Sequence, residues 1–318
     1  MAAIFLHDHK DFPDLLRITG EEMGIDAVLI EKDYWIMQVL YGLKQQGYQF
    51  ELKGGTSISK GYNIIERFSE DIDIHISPPA HLSINENPKN IKPATVKARK
   101  AFYDWLATDI KIPGIINIER DEEFDDKDYY RSGGIRLHYK TTSGSREGIK
   151  EGILLEAGFD NVAPNEPLLI SSWAYDTAKQ NSTIEIIDNR ADGIYCYHPG
   201  YTFVEKLQTI TSRFRQEQVD GKKRSNYMRQ YYDIYCLLGW QQVQDFIGSD
   251  EYKAHKEIRF SLKDKEISIQ ENQAFLLTNE GLLKEFAQRY EDTAALYYKG
   301  QVPFNELVKR IKANLDKL

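Results

Sequence analysis

Residues 53–77, KGGTSISKGYNIIERFSEDIDIHIS, set two glycines and two hydroxyls ahead of an Asp-x-Asp inside an apolar run. In an extended strand, alternation puts Asp71, Asp73 and His75 on one face and Ile72, Ile74 and Ile76 on the other. Adjacent carboxylates repel each other, which is costly unless a cation lies between them. A hard divalent ion such as Mg²⁺ (or Mn²⁺) takes oxygen ligands and keeps phosphates as partners. Gly54 and Gly55 let backbone approach a ligand closely, and free N–H groups at a following helix start favour an anion. A phosphate cradle followed by a metal-binding Asp-x-Asp is what nucleotidyl transfer needs: two metal ions to activate the attacking hydroxyl and stabilise the leaving pyrophosphate. An Asp-rich strand end facing solvent is the bland alternative for a bare Asp-x-Asp. The combination with the glycine turn and a helix weighs against it.

The elements that must position these groups follow from local pattern. Residues 26–46, DAVLIEKDYWIMQVLYGLKQQ, have apolar spacing that predicts an amphipathic helix. Residues 48–52 alternate as a strand. Residues 56–66 read as a helix, with Thr56 or Ser57 able to cap its first turn, and 71–76 as a second strand. Residues 77–90 are loop by their Pro, Ser and Asn content, and a helix is expected over 93–110. GGIRLHYK (133–140) and KEGILLEAGF (150–159) flank the polar TTSGSREGI as two paired strands around a loop. Short mixed segments run over 168–197, and the pattern from His198 onward is almost entirely helical. The expected fold is α+β with a mixed sheet over residues 1–197, followed by a helical domain over 198–318 that completes the active site.

KGGTSISKGY and ERFSEDIDI resemble the first motif of DNA polymerase β-like nucleotidyltransferases, and within them the AbiEii/AbiGii toxins of type IV toxin–antitoxin systems. The resemblance extends to IEKDYWIMQVL (30–40), TFVEKLQTI (202–210) and RQYYDIYCLL (229–238). Gln230 departs from the family pattern, where His commonly precedes Tyr-Tyr-Asp. The resemblance implies a polymerase β-like core, transfer of a nucleoside monophosphate from an NTP to the 3′ end of tRNA, and a separate antitoxin as partner. A kinase-like phosphotransferase and a nucleotide-binding module without turnover are the rival readings.

The family's third carboxylate falls best on Glu156, the lone acid of GILLEAGF, with Glu151 a weaker candidate; a structural pair with Arg136 is the alternative. The resemblance gives Lys206 to the nucleotide's phosphates, for which an ammonium is a suitable point charge; otherwise it is a solvated helix lysine. Asp233 is either the fourth motif's acid, holding Lys206 or the substrate hydroxyl, or a structural partner of its i−4 neighbour Arg229. Ser69 either orients the metal site or donates to a phosphate, and Thr56 and Ser57 either donate to phosphates or cap the helix. Lys53 and Lys60 are nearby cations with no assigned partner. His75 reads as packed or hydrogen-bonded, since Mg²⁺ prefers oxygen.

The 318 residues are 41% hydrophobic and 28% charged, an ordinary globular composition. The net charge of −8 argues against indiscriminate nucleic-acid binding, so contact with RNA needs a local basic patch. Arg213, Arg215, Lys222, Lys223 and Arg224 supply the densest one, either a phosphate-backbone contact or a solvated inter-helix loop. The acidic run at 121–130 reads as solvated loop. Cys196 and Cys236 fit no metal spacing and read as packing residues. The N-terminus lacks signal-peptide features, and no apolar run approaches the roughly 18 residues of a membrane span. The expectation is a reduced, cytoplasmic protein without a membrane partner.

Overall fold

The computed structural model describes residues 3–181, 185–224 and 227–318. The chain divides into two compact units, one formed by residues up to Gly61 with Phe68–Tyr197, the other by Tyr62–Arg67 with His198–Leu318.

Among the described residues the first unit is built on seven strands: β1 (Gln49–Lys53), β2 (Asp71–Ser77), β3 (Ile115–Arg120), β4 (Ser132–Tyr139), β5 (Ile153–Gly158), β6 (Asn165–Ile170) and β7 (Ala191–Tyr197). They form one mixed sheet in the order β3-β4-β5-β2-β1-β7-β6. The β2–β5 and β1–β7 pairs are parallel and the others antiparallel. Alternation in β2 does what its sequence implies. Ile72, Ile74 and Ile76 are fully buried, while Asp71, Asp73 and His75 lie half-buried on the opposite face. Strand β5 is buried along its whole length except at Glu156, as a central strand covered on both faces should be.

Helices α1 (Phe12–Met23), α2 (Ala27–Gln45), α3 (Gly54–Thr56, continued by a π-turn over Ser57–Gly61), α4 (Pro93–Asp109) and α5 (Trp173–Asn181) complete this unit. Asp26 caps α2 by accepting from Val28 N–H at 2.9 Å. The expected amphipathic character of α2 is not what the fold uses: every residue from Leu29 to Leu40 is buried. Its three consecutive charges are each matched. Glu31 accepts from Thr141 Oγ1, from the Thr142 hydroxyl and N–H, and from Ser143 N–H, at 2.9–3.1 Å. Lys32 pairs with Glu70. Asp33 takes the Lys60 ammonium at 2.6 Å and Trp173 N–H at 2.9 Å. Buried charges persist only when paired in this way.

The helix expected over 56–66 is shorter and starts earlier. It opens at Gly54, with Lys53 at the cap position, and ends at Gly61. Thr56 and Ser57 are therefore inside the turn and do not cap it. The acidic run is solvated only in part: Glu122, Glu123 and Asp128 are exposed, while three aspartates are paired. Asp121 receives Arg136, Asp125 receives Arg120, and Asp126 receives Arg131, with the Asp125 side chain only 1% exposed.

The second unit is helical: α6 (Pro199–Asp220), α7 (Arg229–Leu237), α8 (Gln241–Phe246), α9 (Asp250–Arg259), α10 (Gln273–Leu276), α11 (Glu280–Glu291) and α12 (Phe304–Lys312). His198 Nδ1 accepts from Gly200 N–H at 3.1 Å, Pro199 occupies the first turn of α6, and Gly221 closes the helix in the left-handed conformation at φ 67°. Phe304, Leu307, Val308 and Ile311 bury one stripe of α12. Tyr231, Phe286, Tyr290 and Phe304 make the aromatic centre of this unit. Among the described residues no helix is long and apolar enough to cross a membrane.

Candidate functional site

The chemistry of the first unit gathers on the half-buried face of β2. Strand register sets Glu156 of β5 directly beside Asp73, and Lys53 of β1 on its other side. Directly opposed residues of neighbouring strands share a face, so Asp71, Asp73 and Glu156 form one acidic surface. The alternative pairing of Glu156 with Arg136 does not occur: Arg136 donates to Asp121 and to the Glu151 carbonyl. Glu151 lies before β5 and outside the strand register.

The glycine turn lies against the same surface. Gly54 has φ +70°, and a Cβ there would collide with the Asp73 carboxylate. Glycine is thus required twice over, for its backbone conformation and for the close approach of Asp73. Gly55 follows, buried, in the first turn of α3. Thr56 and Ser57 are fully buried, and the Thr56 hydroxyl donates to the Asp71 carbonyl at 2.5 Å. In this structure Thr56 fastens the start of β2 to the turn. Ser69 is half-buried two residues before β2.

Both nearby lysines, to which the sequence assigned no partner, are paired. Lys53 pairs with Asp160 at 3.2 Å. Lys60 pairs with the buried Asp33, its ammonium 5.3 Å from the Trp173 ring centroid. His75 is hydrogen-bonded, Nδ1 to Glu51 Oε2 at 2.5 Å, and that bond is the main cause of its raised pKa.

Electrostatics mark the acidic face. Burial, with the neighbouring Asp73 and Asp71 charges, pushes Glu156 up to about 8, against the smaller opposite pull of Lys150 and Lys53. Among the described residues no group of three or more His, Cys, Asp or Glu is placed so that it could hold a metal ion. The donor set nevertheless suits a hard divalent cation, all carboxylate oxygen with mutual repulsion that such an ion would relieve. Mg²⁺ typically takes one or two protein carboxylates, with waters and phosphates completing its shell.

In the second unit, Asp233 of α7 is fully buried. Its carboxylate receives Arg67 Nε and Nη2, both at 2.6 Å, and Lys206 Nζ of α6 at 2.9 Å. Arg67 is a partner that the sequence reading did not name. The positive charges of Arg67 and Lys206 hold Asp233 down to about 2 against the opposing effect of burial. Lys206, only 8% exposed, is not a solvated lysine. Gln230 stands beside this cluster in sequence, with its buried side-chain oxygen lacking a hydrogen-bond partner.

The basic residues divide. Helix α6 runs through Asp220, so Arg213 and Arg215 are helical and only Lys222, Lys223 and Arg224 follow in a loop. Arg215 pairs with Asp264, Lys223 with Glu285 and Arg224 with Asp220. Arg213 and Lys222 are exposed and form no ion pair among the described residues. Cys196 is buried and Cys236 half-buried; burial pushes each thiol up to about 12, as suits packing residues.

A family model described as "Nucleotidyl transferase AbiEii toxin, Type IV TA system" matches residues 38–310. No curated protein sequence matches the chain. Among solved structures, an antigenic nucleotidyltransferase-like protein from Paracoccidioides brasiliensis is similar at 12% identity and a TM-score of 0.36, covering 73% of this chain and 95% of its own.

Proposed function

We propose a reaction from one premise: the chain belongs to the AbiEii nucleotidyl transferase toxin family of type IV toxin–antitoxin systems. Its activity is therefore nucleotidyl transfer, with an NTP as substrate and a cognate antitoxin as partner. In our reading it moves a nucleoside monophosphate onto the 3′ end of tRNA in the cytoplasm, releasing pyrophosphate.

The observation that carries this reading is the placement of Asp73, in register with Glu156 and pressed against Gly54. That arrangement supports Asp71, Asp73 and Glu156 as holders of divalent metal, Mg²⁺ or Mn²⁺, and Gly54 and Gly55 as the backbone approach to phosphate. A divalent cation bound there would polarise the α-phosphate and lower the pKa of the attacking hydroxyl. Glu156 has to lose its proton to join the set, and the acidic face then carries its full negative charge. Ser69, at the entrance to β2, is placed in this reading as a donor to the metal site or phosphate. Lys206 offers a phosphate contact whose ammonium is oriented by Asp233. Thr56 and Ser57 serve the nucleotide through the turn they pack, since the Thr56 hydroxyl is already committed to Asp71. Arg213 and Lys222 are the basic residues best suited to RNA phosphates, with Arg215, Lys223 and Arg224 partly neutralised by their partners.

Incubation with α- or γ-labelled NTPs, Mg²⁺ and total RNA tests the reaction. Label from the α position should appear on tRNA, and Asp71→Asn or Asp73→Asn should abolish it at an unchanged melting temperature. Transfer of γ-label to an acceptor would replace this reading with phosphoryl transfer, and absence of both would refute turnover.

A further inference from the structure

Lys150, in the segment leading to β5, is held in a way that a solvated lysine does not require. Its backbone is gripped by two buried side chains: its N–H donates to Glu70 Oε2 at 3.0 Å, and its carbonyl accepts from Lys32 Nζ. Lys32 and Glu70 are 1% and 6% exposed and lie 3.5 Å apart. Burying such a pair costs desolvation that mutual attraction repays only with good geometry and further hydrogen bonds. Glu70 immediately precedes Asp71, so this pair ties the start of the Asp-x-Asp strand to the segment entering the Glu156 strand.

The Lys150 side chain itself is exposed, accessible to a ligand, and stands over an aromatic ring. The Lys150 ammonium lies 4.5 Å from the Phe124 ring centroid. Phe124 packs against Gly134, where a Cβ would meet it at 2.8 Å, and Gly134 is the register partner of Glu156. Lys150 is near enough for its charge to act on Glu156. Lys53 and Lys60 of the same unit are taken up in ion pairs, whereas Lys150 forms none among the described residues. With Lys32 and Arg146 it also lines a small cavity of about 150 Å³. Arg146 there is already paired with Asp26 at 3.1 Å.

A triphosphate brought to an acidic face needs cations beyond those the carboxylates hold, and a compact ammonium is suited to phosphate oxygens. We propose that Lys150 contacts the β- or γ-phosphate of the NTP, and that Lys32 and Glu70 are positioning residues that present it. This rests on the reading of Asp71, Asp73 and Glu156 as the reaction centre.

The test compares wild type, Lys150→Met, Lys150→Arg, Glu70→Gln and Asp73→Asn with each of the four NTPs, and with the corresponding monophosphates, in Mg²⁺. Methionine keeps an apolar stem over Phe124 and removes the charge. Lys150→Met should weaken NTP binding and raise KM by ten-fold or more, leave monophosphate affinity within two-fold, and be largely rescued by Lys150→Arg. Glu70→Gln should raise the same KM with little change in kcat. If Lys150→Met binds NTPs like wild type while Asp73→Asn has lost transfer, the carboxylate site stands and the Lys150 assignment is overturned. If Asp73→Asn transfers normally, the carboxylate reading fails and this inference falls with it.

Discussion

Asp233→Asn removes one charge and almost no volume from the interior of the second unit. In the native cluster a fully buried carboxylate faces Arg67, 3% exposed, and Lys206, 8% exposed. Without it, two buried cations face each other. Removing one partner of a buried ion pair costs about 3–5 kcal/mol, because the remaining charge is left uncompensated. The depressed pKa points the same way: the Arg67 and Lys206 charges outweigh burial and hold the carboxylate at about 2 against the ordinary 3.8. Because the folded value is the lower one, this stabilisation is fully present above pH 3.8 and is lost as pH falls towards about 2. Asp233→Asn should therefore destabilise α6 and α7 by about 3–5 kcal/mol at neutral pH. Hydrogen exchange of their backbone amides reads this locally, where a whole-chain melting curve would mix two units. Arg67→Met and the double variant complete a cycle, with a coupling of at least ~1 kcal/mol expected for residues in direct contact. A loss below ~1 kcal/mol in Asp233→Asn, or single penalties that simply add, would refute the charge accounting.

In metal-free protein, Glu156 should titrate near 8 by ¹³C NMR of its carboxyl carbon, and Mg²⁺ should move that midpoint down; a midpoint below ~6 would contradict the acidic face. Because this folded pKa is raised, its stabilising contribution is full below pH 4.5 and is lost as pH rises through about 8, a slope that Glu156→Gln should remove from urea titrations. Gly54→Ala should cost about 1–2 kcal/mol for the left-handed backbone alone, and should reduce transfer at least ten-fold by displacing Asp73. Full activity in that variant would show that the close approach is dispensable. Arg213→Gln with Lys222→Gln should weaken tRNA modification and flatten its salt dependence by about one unit of slope for each phosphate no longer neutralised, leaving NTP affinity unchanged. A wild-type salt series would place the acceptor elsewhere.

What could be read in advance was whatever local geometry governs. The Asp71–Asp73 face follows from two-residue alternation, which needs no partner strand. Glu156 stood out as a lone acid in an apolar run, but its neighbour did not. Arg136 looked available, and only the β2–β5 register shows that Asp73 is the residue beside it. The i−4 rule pointed Asp233 towards Arg229, yet its main partner is 166 positions away. Helix α2 read as amphipathic from the spacing of its apolar residues, and nothing local shows that Glu31, Lys32 and Asp33 find distant partners and are buried as well. Strands β6 and β7 were only short mixed segments, since β6 alternates imperfectly and β7 carries a glycine at φ +62°. Lys150 gave no local signal at all, because the groups that hold it, Lys32 and Glu70, lie 118 and 80 positions away.

Residues Tyr62–Arg67 make the chain awkward to dissect. A fragment beginning at His198 would contain Asp233 and Lys206 but not Arg67, so the two-pronged partner of a buried carboxylate would be missing from an otherwise contiguous helical piece. Expressed alone, that fragment should be soluble only with the hexapeptide supplied in trans or grafted on. During synthesis the order is reversed. Arg67 leaves the ribosome long before α7 exists, and the polypeptide emerging next is β2 with its Asp-x-Asp. Completion of the helical unit therefore has to wait for its last partners while holding a segment made early, a long-range closure that favours late, all-or-none assembly over independent folding of two halves.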